Sequence, residues 1–325
     1  MTQKETLWAE RVAGLIEDVP NRSTTDLLVN DSNFDALVFT EEAIDWTQVQ
    51  AWLRRWDGGR WLFRGQTEGH WQLTSSLERA TLWPAHITQP GATASTVVSF
   101  DPDHWERELL FRFQRQAHQY LSTLPAEDSV LDWLALMQHH GAPTRLLDWT
   151  RAPYVALYFA VENPPKSSHV ALWAIDSDWV LAEGGDLAKA RNSYTPSAAT
   201  LERQRLKRLN RMLLEGCSQD IVAIANPVTM NQRMATQQGL FLCNLSQNYP
   251  LRSALLNMLI DLKTYRPVLN KLVITEGARI SILKELNRMN INRASLFPGL
   301  DGFAQSLRVD LQFLIFDELG PSAAL

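Results

Sequence analysis

One continuous stretch constrains the fold of this chain more than any other. Residues 133–162, WLALMQHHGAPTRLLDWTRAPYVALYFAVE, predict a helix, a tight polar turn, a short strand and a second helix. The apolar runs are interrupted where the backbone has to turn, and the interrupting side chains are His139, His140, Thr144, Arg145, Asp148 and Thr150. Binding and catalytic groups concentrate at such turns on a rigid scaffold. The stretch is therefore the first candidate for a functional site.

The bulk composition indicates a globular protein that holds no metal. Hydrophobic residues make up 45% of the 325 residues, which is enough for a sizeable core. The formal net charge of −5 gives no global basic field for a polyanion. Cys217 and Cys243 are the only cysteines, and neither has the spacing of a zinc site or a disulfide framework. We therefore expect no metal and a reducing, cytoplasmic compartment.

The apolar segments are too short or too interrupted for a membrane protein. Residues 1–19 mix charges into an amphipathic pattern and lack the continuous apolar core of a signal peptide. The longest apolar runs, such as residues 154–161, fall far short of a bilayer span. We expect no contact with a membrane.

The beginning of the chain predicts helices that pack on the body of the protein. Apolar residues at helical spacing over residues 5–17 indicate an N-terminal helix. Thr40 is expected to cap a second helix that runs through Arg55, because two glutamates follow it in the first turn.

The run WLFRGQ at residues 61–66 changes abruptly from large apolar residues to Arg-Gly-Gln. It predicts a buried strand that carries Arg64 at its carboxyl end. A guanidinium fixed there suits phosphate or carboxylate, because its fork donates two parallel hydrogen bonds. Gly65 allows close approach of a ligand or a neighbouring strand. The alternative is that Arg64 only pairs with a structural carboxylate.

Within the central stretch, the turn signals place each polar group at the end of an element. A helix over residues 129–140 is expected to stop at Gly141, and residues 144–149 predict a strand. Thr150 stands where an N-cap is needed for a helix over residues 153–161. The same helix end offers free N–H groups and positive dipole to an anion. The alternative is that these groups only cap and pack.

The other segments predict the remainder of an α+β fold, a mixed central β-sheet flanked by helices. Further strands are expected at residues 169–176, 221–225, 237–242 and 272–275. A basic amphipathic helix over residues 198–215 indicates a solvated or partner-binding face, with contact to nucleic acid as the alternative. The last apolar run, residues 311–316, has no clear partner.

With these residues in view, the chain resembles the FRG-domain family of bacterial proteins, which is named for a Phe-Arg-Gly motif. That motif stands here at residues 63–65, and further family-like features follow in order: QHHG at 138–141, PTRLLDWT at 143–150, ALYFA at 156–160, QQGLF at 237–241 and LFPGLDG at 296–302. The ordered set implies a single elaborated domain over residues 59–325, with C-terminal helical elaboration. Residues 1–58 are expected to form a helical segment packed on it.

The order of these motifs also resembles the ADP-ribosyltransferase superfamily. There, an Arg or His ends a first strand, a Ser or Thr precedes an apolar helix, and a Glu or Gln lies on a later strand; the matching positions are Arg64, Thr150 and Gln238. The resemblance implies an ADP-ribosyltransferase-like fold and NAD as co-substrate, held by Arg64, Gly65, Gln66, Thr144 and Arg145. Gln238 is uncharged, and no Glu-x-Glu motif stands beside it. We therefore expect Asp148 to supply the negative charge near the reacting ribose and His139 to act as acid or base.

Two hypotheses of different classes follow. The first is an NAD-dependent ADP-ribosyltransferase-like enzyme or NAD glycohydrolase, a toxin or antiphage defence effector with an unknown macromolecular target and an antitoxin or defence-system partner. The second is a noncatalytic sensor module that binds a nucleotide or phage component, favoured by the missing catalytic Glu and the basic helix. No cluster of paired carboxylates points to a nuclease, and no GxxxxGK or GxGxxG motif points to an NTPase or dehydrogenase.

Overall fold

A seven-stranded sheet organises the chain in the computed structural model. The structure describes residues 31–56, 58–82, 102–183, 198–217, 221–246, 250–260 and 267–319, together with residues 3, 6, 7 and 10. The N-terminal helix expected over residues 5–17 lies largely outside these ranges. The strands are β1 (Phe39–Ala43), β2 (Trp61–Gln66), β3 (Leu146–Thr150), β4 (His169–Asp176), β5 (Val222–Ala225), β6 (Gly239–Asn244) and β7 (Leu269–Thr275).

The strand order is β1-β7-β4-β2-β3-β6-β5. Only β1 and β7 run parallel, and every other neighbouring pair is antiparallel. The sheet is therefore mixed, and the expected α+β class with a mixed central sheet is confirmed. The N-terminal segment contributes β1 to this sheet.

Thirteen helices surround the sheet in the described part of the chain. They are α1 (Asp31–Leu37), α2 (Trp46–Arg55), α3 (Ser76–Leu82), α4 (Pro102–Ala117), α5 (Val130–His139), α6 (Pro153–Val161), α7 (Ser177–Glu183), α8 (Ala198–Glu215), α9 (Gln232–Thr236), α10 (Leu251–Ile260), α11 (Arg279–Arg288), α12 (Arg293–Leu296) and α13 (Leu300–Leu319). Among the described residues, no helix has both the length and the apolar character that a membrane crossing requires.

Both faces of the sheet are covered, which explains the near-continuous apolar sequence of its central strands. One face carries a single core, in which Leu62, Trp149 and Trp173 pack with residues of α1, α7 and α10. The opposite face carries two separate cores. Residues of α2, α6 and α11 pack over β2, β4 and β7, whereas residues of α4, α5 and α8 pack over β5 and β6. The boundary between these two cores falls at β2 and β3.

Several predicted elements are confirmed at their predicted ends, including β2, β4, α6 and α8. The helix predicted from Thr40 through Arg55 is wrong in its first part, because residues 39–43 form β1. The burial of Phe39 and Ala43 and the pairing of this segment with β7 stabilise a strand there, although Thr40 and the two glutamates resemble the start of a helix. The helix α2 begins later and is capped by Asp45, whose carboxylate accepts from the Gln48 N–H at 2.8 Å.

Gly65 is required because α6 lies directly against β2. A Cβ atom at this position would stand 2.0 Å from the Ala156 carbonyl oxygen and 2.6 Å from the Ala160 nitrogen. Both contacts are with helix backbone, which has no side-chain freedom to move away. The close approach expected at Gly65 is therefore made by a packed helix.

Replacing Gly65 with Ala is expected to destabilise the fold by about 1–3 kcal/mol or more, because overpacking forces the backbone of α6 to shift. Urea denaturation measures this change in the free energy of unfolding. Gly277→Ala is the matched control, since a Cβ at Gly277 meets nothing within 4 Å. Equal stability of the two variants would contradict the packing argument.

Candidate functional site

A cavity of about 170 Å³ opens between the two cores that share one face of the sheet. Strands β2, β3 and β6 form its floor, and α6 and α9 form its walls. Its lining combines two arginines and one carboxylate with aromatic and apolar groups: Phe63, Arg64, Gly65, Asp148, Trp149, Thr150, Ala156, Phe159, Arg233, Met234, Gln237, Gly239, Leu240 and Phe241. The structure thus brings Arg64, Gly65, Asp148 and Thr150 together, as the sequence predicted.

The cavity exists because β2 and β3 separate. These strands are in register only at Phe63 and Thr150, whereas β2 pairs with β4 from Trp61 to Gln66. Beyond that point, the Arg64 guanidinium takes the place of the missing ladder and donates from Nη1 to the Asp148 carbonyl oxygen at 2.7 Å. Arg64 therefore links β2 and β3 where they no longer pair through their backbones.

The Arg64 side chain still has hydrogen-bonding capacity to spare. Its Nε–H is buried and has no hydrogen-bond partner in the described part of the chain. Burial lowers the pKa of Arg64 to about 10, and the neighbouring Asp148 carboxylate acts in the opposite direction. The guanidinium thus remains charged at neutral pH. A buried donor without a partner costs free energy that an anion in the cavity would recover.

Asp148 is exposed, and its carboxylate is oriented by Gln138, a residue that the sequence analysis did not assign to the site. Gln138 lies near the end of α5 and donates from Nε2 to Asp148 Oδ2 at 3.0 Å. The Gln138 oxygen accepts from the Thr144 hydroxyl at 2.6 Å, which fixes the amide orientation. No other described residue donates to the Asp148 carboxylate. Position 138 in the QHHG motif was the available signal for this role.

Thr150 anchors the loop before β6 instead of capping α6. Its hydroxyl donates to the Gln237 carbonyl oxygen at 2.6 Å and accepts from the Ala152 N–H at 2.9 Å. The N-cap of α6 is Ala152, so the predicted cap at Thr150 was wrong. The hydroxyl binds the residue before the helix because Thr150 still belongs to β3.

Gln238 does not lie on a strand and does not line the cavity. Its backbone has φ +48°, the side chain is exposed, and β6 begins one residue later at Gly239. The Gln238 carbonyl accepts from the Arg151 N–H at 3.1 Å, which holds this left-handed turn. The preceding residue, Gln237, reaches the cavity and donates from its amide to the Leu296 carbonyl at 3.0 Å.

Arg233 is the second cation of the cavity and was not predicted as a site residue. It lies on α9, and its guanidinium stacks over the Phe297 ring at 4.3 Å from the centroid. No described residue forms a side-chain hydrogen bond or ion pair with it. Burial lowers the pKa of Arg233, while the Asp148 carboxylate raises it. Its only sequence signal was an arginine shortly before the QQGLF motif.

The guanidinium of Arg293 also lies over the Phe297 ring, 4.2 Å from its centroid. Arg293 forms an ion pair with Glu162, which also accepts from the Tyr158 hydroxyl at 3.1 Å. Phe297 therefore contacts two guanidiniums, of which only that of Arg293 has an ion pair among the described residues. This stack positions Arg233 towards the cavity without neutralising it.

His139 stands beside the cavity but is not one of its lining residues. Asn231 Nδ2 lies 3.2 Å from His139 Nδ1, and because an amide nitrogen only donates, Nδ1 accepts and the ring proton resides on Nε2. Burial, His140 and Arg233 each lower the pKa of His139. The imidazole is therefore neutral at neutral pH.

Three residues expected to hold NAD have structural partners elsewhere. Gln66 is buried and accepts from Trp173 Nε1 at 2.8 Å. Arg145 is buried and forms an ion pair with Glu106, which also accepts from the Arg145 backbone N–H at 2.7 Å. Thr144 is buried against Gln138. None of the three lines the cavity.

The basic helix α8 also lies apart from the cavity lining. Its exposed face carries Arg203, Lys207, Arg208 and Arg211, and none of these side chains has an ion-pair partner among the described residues. Contact with nucleic acid through this face stays a prediction. Among the described residues, no group of His, Cys, Asp or Glu side chains is arranged to hold a metal ion.

The pKa of His139 is expected to lie below the usual value of about 6.5 and to rise in Arg233→Ala, because that change removes a nearby positive charge. NMR titration of the imidazole signals measures both values. Arg203→Ala, which removes an exposed arginine from α8, serves as the control and should leave the titration unchanged. An unchanged His139 titration in Arg233→Ala would contradict the proximity of the two side chains.

The chain was compared with protein families, curated proteins and solved structures. No curated protein and no solved structure matches the chain. The family model described as the FRG domain matches residues 59–169, a range that contains the Phe63-Arg64-Gly65 motif together with Asp148 and Thr150 of the cavity. The family resemblance seen in the sequence is thereby confirmed: this chain carries an FRG domain over residues 59–169.

Proposed function

We propose that the chain is an ADP-ribosyltransferase-like enzyme that uses NAD as co-substrate and acts as a bacterial toxin or antiphage defence effector. One observation carries the proposal. Two guanidiniums that keep unused donors, Arg64 and Arg233, converge with the Asp148 carboxylate on one cavity. Paired cations suit a diphosphate, and a carboxylate suits the positive charge that develops on a reacting ribose.

The chain's own donors support a fit to the anionic part of NAD. Within the described residues, the buried Nε–H of Arg64 has no hydrogen-bond partner and Arg233 has no ion pair. Phe159 and Phe63 add apolar surface to the same cavity. Its volume of about 170 Å³ is below the about 300–1,000 Å³ typical of pockets that bury a whole small ligand. One end of the dinucleotide is therefore enclosed and the other extends over the rim.

The proposed chemistry is transfer of the ADP-ribosyl group to a nucleophile. NAD supplies an N-glycosidic bond that breaks with its electron pair leaving on nicotinamide, while the ribose carbon bonds to an oxygen or nitrogen of the target, or to water. Arg64 and Arg233 hold the phosphates and orient the ribose. Asp148 stabilises the positive charge at the ribose and accepts the proton that the nucleophile loses. Gln138 keeps the carboxylate in position for both tasks.

In this proposal Asp148 takes the part that a Glu plays in the superfamily pattern. Gln238 is turned away from the cavity, so its side chain has no role in the reaction. Gln237 stays at the cavity edge as a structural link between α12 and the loop before β6. Thr150 has both hydrogen-bonding directions in use, so it braces the site and leaves ribose contacts to other groups.

Asp148→Asn is expected to lower nicotinamide release from NAD by about 100-fold or more, in line with the usual contribution of a positioned acid or base. Release is measured with labelled NAD and cell extract. Asp178→Asn is the matched control, because Asp178 is an exposed carboxylate at the start of α7. Arg64→Ala tests the phosphate contact in the same assay, with circular dichroism to confirm that each variant is folded. No release and no labelled product from the unaltered chain, across several extracts, would refute the enzyme proposal.

A noncatalytic sensor that binds a nucleotide is the second candidate. One observation favours it: the only carboxylate that lines the cavity within the described residues is Asp148, which is flanked by two arginines and already hydrogen-bonded to Gln138. A carboxylate held in this way can orient the donor groups of a bound ligand without taking part in proton transfer.

The two candidates differ in a binding measurement. If the chain is a sensor, ADP-ribose is expected to raise the melting temperature of the unaltered chain and not that of Arg233→Ala. The sensor is also expected to release no nicotinamide from NAD. The enzyme releases nicotinamide and loses that activity in Asp148→Asn. A chain that shows neither a thermal shift with ADP-ribose nor turnover would contradict both candidates.

A further inference from the structure

The helix α13 presents an apolar stripe to solvent. The stripe consists of Leu300, Phe303, Leu307, Leu311 and Leu314. The relative solvent exposure of these residues ranges from 50% at Leu307 to 78% at Leu300. At about 100° per residue, all five lie within an arc of about 80° on one side of the helix. No charged residue lies between them in that stripe until Glu318, one turn past Leu314.

The opposite side of α13 is already packed on the protein. Ser306 and Val309 are buried, and Phe313 and Phe316 lie under the ammonium group of Lys284 from α11. Arg279 of α11 also donates to Gln312 Oε1 at 2.7 Å. The helix is therefore fixed in place by one face, and its second apolar face has no partner among the residues that the structure describes. Exposed apolar surface of this extent marks an interaction site.

We propose that this stripe is the interface of a homodimer, in which α13 packs in parallel against α13 of a second copy across a two-fold axis. The proposal is independent of the cavity and of the function proposed for it. The residues recur with an eleven-residue period, since Leu300 and Phe303 are followed by Leu311 and Leu314. That period keeps the stripe almost straight along the helix, so two copies remain in contact over its length.

The charges beside the stripe select a second copy as the partner and parallel as the orientation. Arg308 and Asp310 flank it on opposite sides, and neither side chain has an ion-pair partner in the described part of the chain. A parallel two-fold arrangement brings Arg308 of each helix beside Asp310 of the other, about 3 Å apart along the axis. An antiparallel arrangement would bring the two Arg308 side chains together. The stripe and its flanks thus complement themselves.

Sedimentation of the full chain tests the dimer. The unaltered chain is expected to sediment as a dimer, and Leu307→Glu as a folded monomer with at least a tenfold weaker dimer Kd. Ile44→Glu is the matched control, because Ile44 is 63% exposed and lies outside α13. A monomeric unaltered chain over the whole concentration range would overturn the proposal, and so would a dimer that survives Leu307→Glu.

A charge swap separates self-pairing from other uses of the apolar face. Arg308→Asp alone is expected to weaken the dimer several-fold, and the double variant Arg308→Asp with Asp310→Arg to restore it, because the pair is re-formed with reversed sign. Failure of the double variant to restore the dimer would overturn the charge pairing.

Cysteine cross-linking tests the orientation. Leu300→Cys should cross-link to its own counterpart in a parallel dimer, with the unaltered chain as control for Cys217. Cross-linking of Leu300→Cys only to Leu314→Cys in a mixed sample would overturn the parallel arrangement. Binding of the unaltered monomer to lipid vesicles, lost in Leu307→Glu, would assign the stripe to a membrane surface instead.

Discussion

The hydrogen bond from Arg64 to the Asp148 carbonyl joins two strands whose only point of register is Phe63 with Thr150. On either side of this point the sheet is regular: β2 pairs with β4 along its length, and β3 pairs with β6 from Leu146 to Thr150. Beyond that pair of residues, the arginine links the two strands through one charged group that also lines the cavity. The middle of the sheet therefore depends on a side chain that serves the fold and the site together, which explains why the Phe-Arg-Gly motif stands at this position.

The neighbouring glycine completes the same arrangement. Because Gly65 lets α6 lie against the β2 backbone, Ala156 and Phe159 reach the cavity from one side. Thr150 then fastens the loop before β6, which brings Gln237 and the short helix α9 with Arg233 to the other side. The cavity thus lies where two cores meet, and its two guanidiniums come from β2 and α9.

The sequence was sufficient for β2, β4, α6 and α8, where an apolar period or a basic amphipathic pattern was continuous. It also placed Arg64, Asp148 and Thr150 at one site, because each follows a strand signal. The sequence wrongly predicted a helix cap at Thr40, because the strand at this position forms through long-range pairing with β7. Arg233 was not predicted because its role depends on stacking against Phe297. Gln138 was not predicted because its role depends on an amide orientation that Thr144 fixes. Such contacts join distant segments and leave no local periodicity.

The single point of register between β2 and β3 also has a mechanical meaning. The sheet consists of a four-stranded part, β1-β7-β4-β2, and a three-stranded part, β3-β6-β5. Arg64 belongs to the first part, and Arg233 precedes a strand of the second. An anion bound by both arginines would link the two parts of the sheet. Binding in the cavity and association of the two parts would then be thermodynamically coupled.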